Sequence, residues 1–292
     1  MSVLDHSSTP RPRGIVSAIS RSPSGLAGAA LLTIVILATL LADILPLADP
    51  MRRSLSSRLL PPVWIEGGTA SFLLGTDGQG RDILARIVHG GRSSLIVGLT
   101  AVALSGLFGL ILGVLAGLRG GMIDTVIMRV VDAVLAIPTM LFMLVVAMVA
   151  GTGILPLVLV IAATNWVTYT RIVRAEVMRV KELDFVAAAR ISRVGLPSLL
   201  ARHIIPNILP AFVVVATLNV GTVILTESAL SFLGFGIQAP QISWGQMLSE
   251  GRETLATSWW ISTFPGIALT VTVFSIILLG DWLRDYLDPR LP

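Results

Sequence analysis

Six long apolar runs dominate this chain and leave few folds open to it. They cover residues 25–45, 92–118, 122–150, 154–176, 208–232 and 261–283. A helix needs about 20 mostly apolar residues to cross the hydrocarbon core of a bilayer. Only 13% of the residues are charged, against about 25% in a typical soluble domain. The sequence therefore predicts an all-α integral membrane protein with six transmembrane helices.

The distribution of basic residues indicates how these helices are oriented. If the N-terminus is cytoplasmic, 13 of the 21 Lys and Arg residues fall in inner segments, seven fall outside and Arg129 lies within the third run. Cytoplasmic segments are enriched in Lys and Arg, so this orientation is favoured. Six arginines within 52–92 would lie outside and argue against this orientation. They lie mostly in one long connection, however, and long connections are translocated across the membrane with little dependence on their charge. We predict cytoplasmic tails at 1–24 and 285–292, a first transmembrane helix at 25–45, an extracytoplasmic segment at 46–91 and a transmembrane core at 92–284.

A polar, basic segment, Asp184–Pro210, separates the fourth and fifth apolar runs. Asp184 can cap a first short helix, and the triplet Ala187–Ala189 gives that helix a flat face of small side chains. Gly195 and Pro197 are predicted to end the helix and turn the chain, as glycine past a helix C-terminus and a nearby proline commonly do.

A second short helix is predicted to follow this turn. Ser198 can cap it, it extends over 199–205, and Pro206 is predicted to stop it. The resulting projection has two interpretations that the pattern leaves open. It either packs on its own helical bundle or fits into a socket on a soluble partner, for which small alanine side chains would allow a close approach.

The segment resembles the EAA loop of permease subunits of binding-protein-dependent ABC importers. The matching residues are Phe185, Val186, Ala188, Ala189, Arg190, Arg202, His203, Ile204, Pro206 and Asn207. Two positions depart from the family pattern, since Ala187 stands where Glu is frequent and Arg193 where Gly is expected. Because a glycine occurs instead at Gly195, the second departure is expected to move the turn.

Three further stretches narrow the resemblance to the "C" subunit type of the dipeptide, oligopeptide and nickel permeases. They are GTDGQGRDILARIVHGGRSSLIVG at Gly75–Gly98, the loop after the fifth run at Ser228–Arg252, and LGDWLRDYLDPR at Leu279–Arg290. The resemblance implies a type I importer transmembrane domain with a coupling-helix loop at about 177–207, in a bacterial inner membrane. Peptides are the implied substrates, with nickel chelates, glutathione or opine-like conjugates as alternatives.

The resemblance also implies partners and a mechanism. This chain would pair with a different, related permease, and two ATP-binding subunits would drive alternating access. An extracytoplasmic binding protein would deliver the substrate at the loop of residues 233–260. The implied ATPase-coupling residues are Asp184, Phe185, Ala188, Ala189, Arg190 and Gly195. Our hypothesis is that Ala188 and Ala189 touch a groove on the ATPase.

Polar residues inside the apolar runs are candidates for function because they are costly in lipid. Asn219 and Glu227 lie in the fifth run and could line a substrate path or form interhelical hydrogen bonds. Arg129 and Asp132 are three residues apart in the third run, where a structural ion pair is expected. Pro138 is expected to bend the same helix.

The second run and the outer loop each carry a packing candidate. Gly109, Gly113 and Gly117 recur every four residues, a pattern that lets two membrane helices approach closely. Trp244, in the loop after the fifth run, is expected either to contact the binding protein or to pack over the mouth of the path.

Other function classes find little support. His6, His89 and His203 lie in three separate segments, and no phosphate-binding loop ending in Lys-Ser/Thr occurs. We therefore predict a non-enzyme with no cofactor of its own, in which ATP and Mg²⁺ belong to partner subunits. Dispersed basic residues without interleaved aromatics argue against nucleic acid as a partner. An autonomous secondary transporter remains a distant alternative, although the inverted repeats typical of that class are not evident.

Overall fold

A computed structural model describes residues 14–287 of the chain. The predictions for residues 1–13 and 288–292, namely the two tail ends and the end of the closing motif, lie outside the described residues. The helices are α1 (Ile15–Ile19), α2 (Pro23–Leu40), α3 (Ile83–Arg119), α4 (Gly121–Leu135), α5 (Thr139–Ala150), α6 (Ile154–Val180), α7 (Asp184–Ile191), α8 (Leu196–Leu199), α9 (Ile205–Phe232), α10 (Trp244–Gly251) and α11 (Trp260–Leu287).

Five helical segments among the described residues are long and apolar enough to span a membrane. They are α2, α3, α6, α11 and the continuous stretch Leu196–Phe232, which contains α8 and α9. Helices α4 and α5 pass the same test together but are bent by 88° at a short break, and they make a sixth candidate span if the bent pair is counted as one. The predicted all-α membrane fold is confirmed.

The first two spans differ from their predicted limits. The first helix ends at Leu40 rather than 45. The second begins at Ile83, nine residues before its apolar run, because the Asp82 side chain caps it by accepting a hydrogen bond from the Leu84 N–H at 2.9 Å. Residues 83–91 of the predicted extracytoplasmic segment are therefore helical.

The third span is broken rather than a single bent helix. Regular helix ends at Leu135 and resumes at Thr139, on either side of Pro138. Proline has no N–H to donate and disfavours helical geometry in the residue before it. The expected bend is present, and its angle of 88° makes α5 almost perpendicular to α4.

The fifth span begins earlier than predicted because Pro206 does not stop a helix. One wide π-turn, Leu200–Ile204, joins α8 to α9, and the Ile205 N–H bonds to the Leu200 carbonyl. Pro206 is then in the first turn of α9, where a missing N–H is tolerated. Ser198 makes no cap, since α8 begins after Gly195.

The glycine stripe of α3 packs against α6. A Cβ atom added to Gly109, Gly113 or Gly117 would lie 2.4, 2.7 or 2.8 Å from a Cβ atom of α6. The α6 residues that carry these atoms recur at the same interval: Tyr169, Val173 and Val177. Only glycine permits this approach, so the stripe serves packing within the chain.

The bundle has two ends that differ in character. At one end α3 and α6 finish and the short helices α7 and α8 follow; we call it the α7 end. At the other end α3 and α11 begin, α9 finishes and α10 lies between α9 and α11; we call it the α10 end. The candidate functional features lie at these ends and along α4.

Candidate functional site

Helix α7 is fixed to its own bundle by one face. Val186 is fully buried and Ala189 is 8% exposed, and both belong to an apolar cluster with Leu199, Ile204 and Ile208. This cluster joins α7 to the start of the fifth span. Ala189 therefore packs within the chain, which leaves Ala188 as the exposed member of the pair hypothesised to touch an ATPase.

The turn after α7 falls at Arg193, not at Gly195. Arg193 has φ +56°, whereas Gly195 is extended with φ −61° and ψ 147°. The Val194 N–H donates to the Ala189 carbonyl at 3.1 Å, and Val194 also packs beside Ala189. This is a Schellman ending, in which the left-handed position is usually glycine. The predicted shift of the turn is therefore wrong, and an arginine occupies the left-handed position where the family has glycine.

The opposite face of α7 and the start of α8 are exposed and apolar. This face, which we call the α7 surface, consists of Phe185, Ala187, Ala188, Ile191 and Leu196. The side chains of Ile191, Leu196 and Phe185 are 84%, 53% and 42% exposed. Where the α7 surface faces water it is a candidate interaction site, because large exposed apolar areas mark such sites.

The other implied coupling residues lie around this surface. Asp184 is the exposed first residue of α7, and Gly195 is exposed beside open space. Arg190 belongs to α7 by its backbone. Sequence reasoning missed Ile191 and Leu196, although two large apolar residues in a polar segment are a detectable signal.

Glu227 lies in a buried hydrogen-bond cluster near the α10 end. Its carboxylate accepts hydrogen bonds from Ser94 of α3 at 3.0 Å and from Ser231 of α9 at 2.8 Å, with Ser228 at 3.3 Å. Ser243, the N-cap of α10, also bonds to it. Glu227 is 0% exposed. In this structure Glu227 therefore forms interhelical hydrogen bonds, and these bonds connect α3, α9 and the start of α10.

Asn219 is not part of that cluster. It lies eight residues earlier on α9, about 12 Å along the helix axis, where it is half-buried beside the buried hydroxyl of Tyr169. The structure therefore does not bring the two path candidates of the sequence together.

The GTDGQGRD motif forms a buried ion network with α10. Arg81 Nε lies 2.7 Å from Asp77 Oδ2, and Arg81 Nη2 lies 2.7 Å from Glu250 Oε2. Arg86 Nη1 contacts the same two carboxylates at 2.5 and 2.6 Å. Both arginines and Asp77 are at most 3% exposed. Two positive and two negative groups balance, so the motif holds the chain before α3 onto α10.

Asp77 and Asp82 also shape the backbone of this motif. Asp77 Oδ1 accepts hydrogen bonds from the Gln79 and Arg81 N–H groups at 2.8 and 3.0 Å, which closes the tight turn. Burial raises the pKa of Asp82 above its ordinary value of 3.8, and hydrogen bonds from the Leu84 and Ala85 backbone oppose the shift. The turn predicted from glycine content is therefore supported by two carboxylates.

Trp244 serves packing rather than contact with another protein. It is 1% exposed, and its Nε1–H donates to the Ile87 carbonyl at 2.9 Å. Its ring lies in an apolar cluster with Ile224, Leu269 and Val273.

The predicted ion pair within α4 is absent. Arg129 and Asp132 are both exposed, and neither forms an ion pair within residues 14–287. A different pair joins α4 to α6, since Arg174 Nη2 lies 2.6 Å from Asp124 Oδ2 and its Nε contacts Oδ1. The i, i+3 spacing places the two residues on neighbouring positions of one helix face, but their charged groups form no ion pair with each other.

Comparison with known proteins is consistent with this architecture. The family described as "Binding-protein-dependent transport system inner membrane component" matches residues 109–291. The chain is 38% identical over 272 residues to the Di/tripeptide transport system permease protein DppC of Pseudomonas aeruginosa, covering 93% of this chain and 90% of that protein.

Two further relatives show similar coverage. The Dipeptide transport system permease protein DppC of Haemophilus influenzae is 39% identical, covering 91% of this chain and 90% of that protein. The Probable D,D-dipeptide transport system permease protein DdpC of Escherichia coli K12 is 34% identical, covering 94% and 91%. Coverage of this extent, together with the helical architecture, places the chain in the family of inner-membrane permease components of binding-protein-dependent ABC importers.

Proposed function

We propose that this chain is the transmembrane permease subunit of an ATP-driven importer of di- or oligopeptides. Three relatives are named as permeases for di- and tripeptides, dipeptides or D,D-dipeptides. These names favour peptides over the nickel chelates, glutathione or opine-like conjugates that the wider group admits.

The proposed complex has three further kinds of component. A second, related permease forms the path with this chain, and two ATP-binding subunits hold ATP and Mg²⁺, so this chain needs no cofactor. An extracytoplasmic binding protein delivers the peptide. The membrane is the bacterial inner membrane, with the α7 end and both termini in the cytoplasm and the α10 end outside, in keeping with the bias of Lys and Arg.

The mechanism is alternating access driven through the α7 surface. ATP-dependent closure of the ATPase subunits would move α7, and the apolar cluster of Val186, Ala189 and Leu199 would carry that movement into the fifth span. The observation that carries this proposal is the α7 surface itself. Exposed Ala188 and Ile191 lie on a short helix whose other face is packed, and exposed Leu196 begins the next helix beside them. This arrangement suits a docking element better than a loop folded on its own bundle.

The test places a large charge on the α7 surface without touching the packed face. Ala188→Arg should insert normally, lose co-purification of the ATPase subunits and abolish peptide uptake. Glu182→Arg is the matched control, since Glu182 is exposed in the same segment but lies before α7. Ala189→Arg is not diagnostic, because Ala189 is buried. Full uptake by the Ala188→Arg complex would refute the coupling role.

A second measurement addresses the secondary-transporter alternative. The chain purified alone and reconstituted into vesicles should not take up peptide under a proton or sodium gradient. Gradient-driven uptake by the chain alone would favour the alternative and overturn the importer proposal.

A further inference from the structure

Two charged side chains of α4 are exposed although α4 is part of a membrane span. Arg129 and Asp132 have no ion-pair partner in the described part of the chain. Glu227, the other acidic group well inside a span, is by contrast fully buried among serine hydroxyls. Among the described residues, exposed charges without an ion pair also occur on α6 at Arg171 and near the end of α11 at Asp281, but Arg129 and Asp132 lie together on α4.

The contacts of Val131 fix the depth of these charges. Val131 is fully buried and packs with Trp166 and Val167 of α6. Thirteen residues, about 20 Å of helix, separate Val167 from the end of α6 at Val180. With 27 residues, α6 is about 40 Å long, which exceeds the roughly 30 Å hydrocarbon core by about 10 Å. Even if all of this excess projects at the α7 end, Val131 lies about 10 Å inside the membrane.

Lipid is an unsuitable neighbour for this face. A long Arg129 side chain can reach toward the interface, but the short Asp132 carboxylate cannot. Even on the milder insertion scales a charge costs about 3 kcal/mol at the centre of a spanning helix, and a carboxylate inside the membrane but short of the centre keeps part of that cost. The helix break after Leu135 adds a second penalty, because its residues are exposed and non-helical backbone at membrane depth is tolerated only against protein or water.

We propose that this face of α4 lines the aqueous substrate path, where Arg129 binds the carboxylate and Asp132 the ammonium group of a zwitterionic peptide. The inference rests on the proposed function as a peptide importer. It names two residues that contact the substrate during passage, and they differ from Asn219 and Glu227, for which the sequence leaves a path role and interhelical hydrogen bonding equally open.

The spacing of the two charges suits a short peptide. Side chains three residues apart on a helix have Cβ atoms about 5–6 Å apart, and two extended residues span at most about 7 Å. Arg129 lines a groove of about 470 Å³, and Asp132 lies beside this groove, outside its lining. The other lining residues are Thr125 and the apolar Val126, Val130, Ala133, Val134 and Ile137. The groove can accept peptide side chains while the charges hold the termini.

Cysteine accessibility tests whether the face borders water. The chain contains no cysteine, so a single Ala133→Cys substitution gives a unique label site in the groove. In the assembled complex in vesicles, a membrane-impermeant thiosulfonate should modify Ala133→Cys. The control Leu107→Cys should stay unmodified, since Leu107 is 58% exposed on α3 among apolar neighbours.

Protection by peptides tests the two charges separately. A free dipeptide should slow labelling of Ala133→Cys, and its N-acetyl and C-amide forms should do so about tenfold less effectively, the worth of one charged hydrogen bond. Adding Asp132→Asn should abolish only the discrimination against the N-acetyl form. Adding Arg129→Gln should abolish only the discrimination against the amide.

The outcomes separate this inference from the proposed function. Co-purification of the complex and dipeptide uptake report on the proposed function alone. If both are normal but Ala133→Cys resists the reagent, or a photoreactive label there cross-links only to the second permease, the face is a subunit interface and the inference is overturned. Equal protection by free and blocked peptides would also overturn it.

Discussion

Substitution of Asp77 by asparagine tests the buried ion network most directly. The Oδ1 atom of Asp77 accepts two backbone hydrogen bonds that an asparagine carbonyl can also accept, so the turn should survive. The Oδ2 atom, in contrast, lies 2.7 Å from Arg81 Nε and 2.5 Å from Arg86 Nη1. Asp77→Asn therefore keeps the turn but removes one negative charge, and it places an amide NH2 group against two guanidinium donors, so both of those hydrogen bonds are lost.

The expected loss of stability is large because the two arginines stay buried. They are 3% and 1% exposed and would share the single carboxylate of Glu250, which is itself 29% exposed. Breaking a buried pair from one side costs about 3–5 kcal/mol. The pair between Asp43 and Arg92 offers a matched comparison, since the Asp43 side chain is 67% exposed. An exposed pair contributes at most about 1 kcal/mol.

Thermal unfolding of the purified complex in detergent measures the difference. The Asp77→Asn complex should unfold several degrees below the wild type, and Asp43→Asn close to it. Limited trypsin digestion gives a local readout. Arg52 and Arg58 are already exposed, and release of the chain before α3 from α10 should speed cleavage after them, because a protease needs a mobile backbone. Equal unfolding temperatures and equal cleavage in the two variants would refute the energetic argument for the network.

Three other predictions concern backbone geometry. Gly113→Ala should destabilise the complex by about 1–3 kcal/mol, because its Cβ would lie 2.8 Å from a fixed carbonyl oxygen of α6. Gly106→Ala should destabilise it less, because the nearest atom there belongs to a phenylalanine ring at 3.2 Å. Equal melting curves of the two variants in detergent would contradict this difference. Arg193→Gly should raise stability by about 1 kcal/mol by relieving the left-handed conformation, measured against Ser192→Gly, which should not gain. Asp82→Ala should lose about 1 kcal/mol with its cap, whereas Asp82→Asn keeps the cap. Burial raises the pKa of Asp82, so ionisation of its carboxyl group destabilises the folded state as pH rises above 3.8. The Asp82→Asn variant cannot ionise. Its melting temperature relative to wild type should therefore increase with pH, and the difference should vanish in acid.

Local patterns predicted the spans and α7 because hydropathy and helix capping act over short distances. The early start of α3 escaped prediction for the opposite reason. Arg86 and Arg92 interrupt the apolar run, and their charges are neutralised by Glu250 and Asp43, which lie 164 and 49 residues away. A sequence window contains neither partner.

The candidate sites show the same division. Glu227 is hydrogen-bonded by Ser94, which is 133 residues distant in the sequence. A glutamate within an apolar run therefore indicated a polar role but could not indicate which residues bind it. The inward direction of Ala189 follows from packing on Leu199 and Ile208, which the repeated alanines could not indicate. Pro206 was misjudged because a π-turn, an uncommon local geometry, accommodates it.

The continuous helical stretch from Leu196 to Phe232 reaches from one end of the bundle to the other and can act as a lever. Its 37 residues form a rod about 55 Å long, with Leu199 wedged under α7 at one end and Glu227 clamped to α3 and α10 near the other. A rigid rod of this length that tilts by about 5° about one end displaces the other by about 5 Å. The π-turn at Leu200–Ile204 is the point where such a rod could flex. Under the proposed alternating access, a small rotation at one membrane face would thereby become a displacement of several ångströms at the opposite face, and substitutions that stiffen or loosen the π-turn would change how much of it is transmitted.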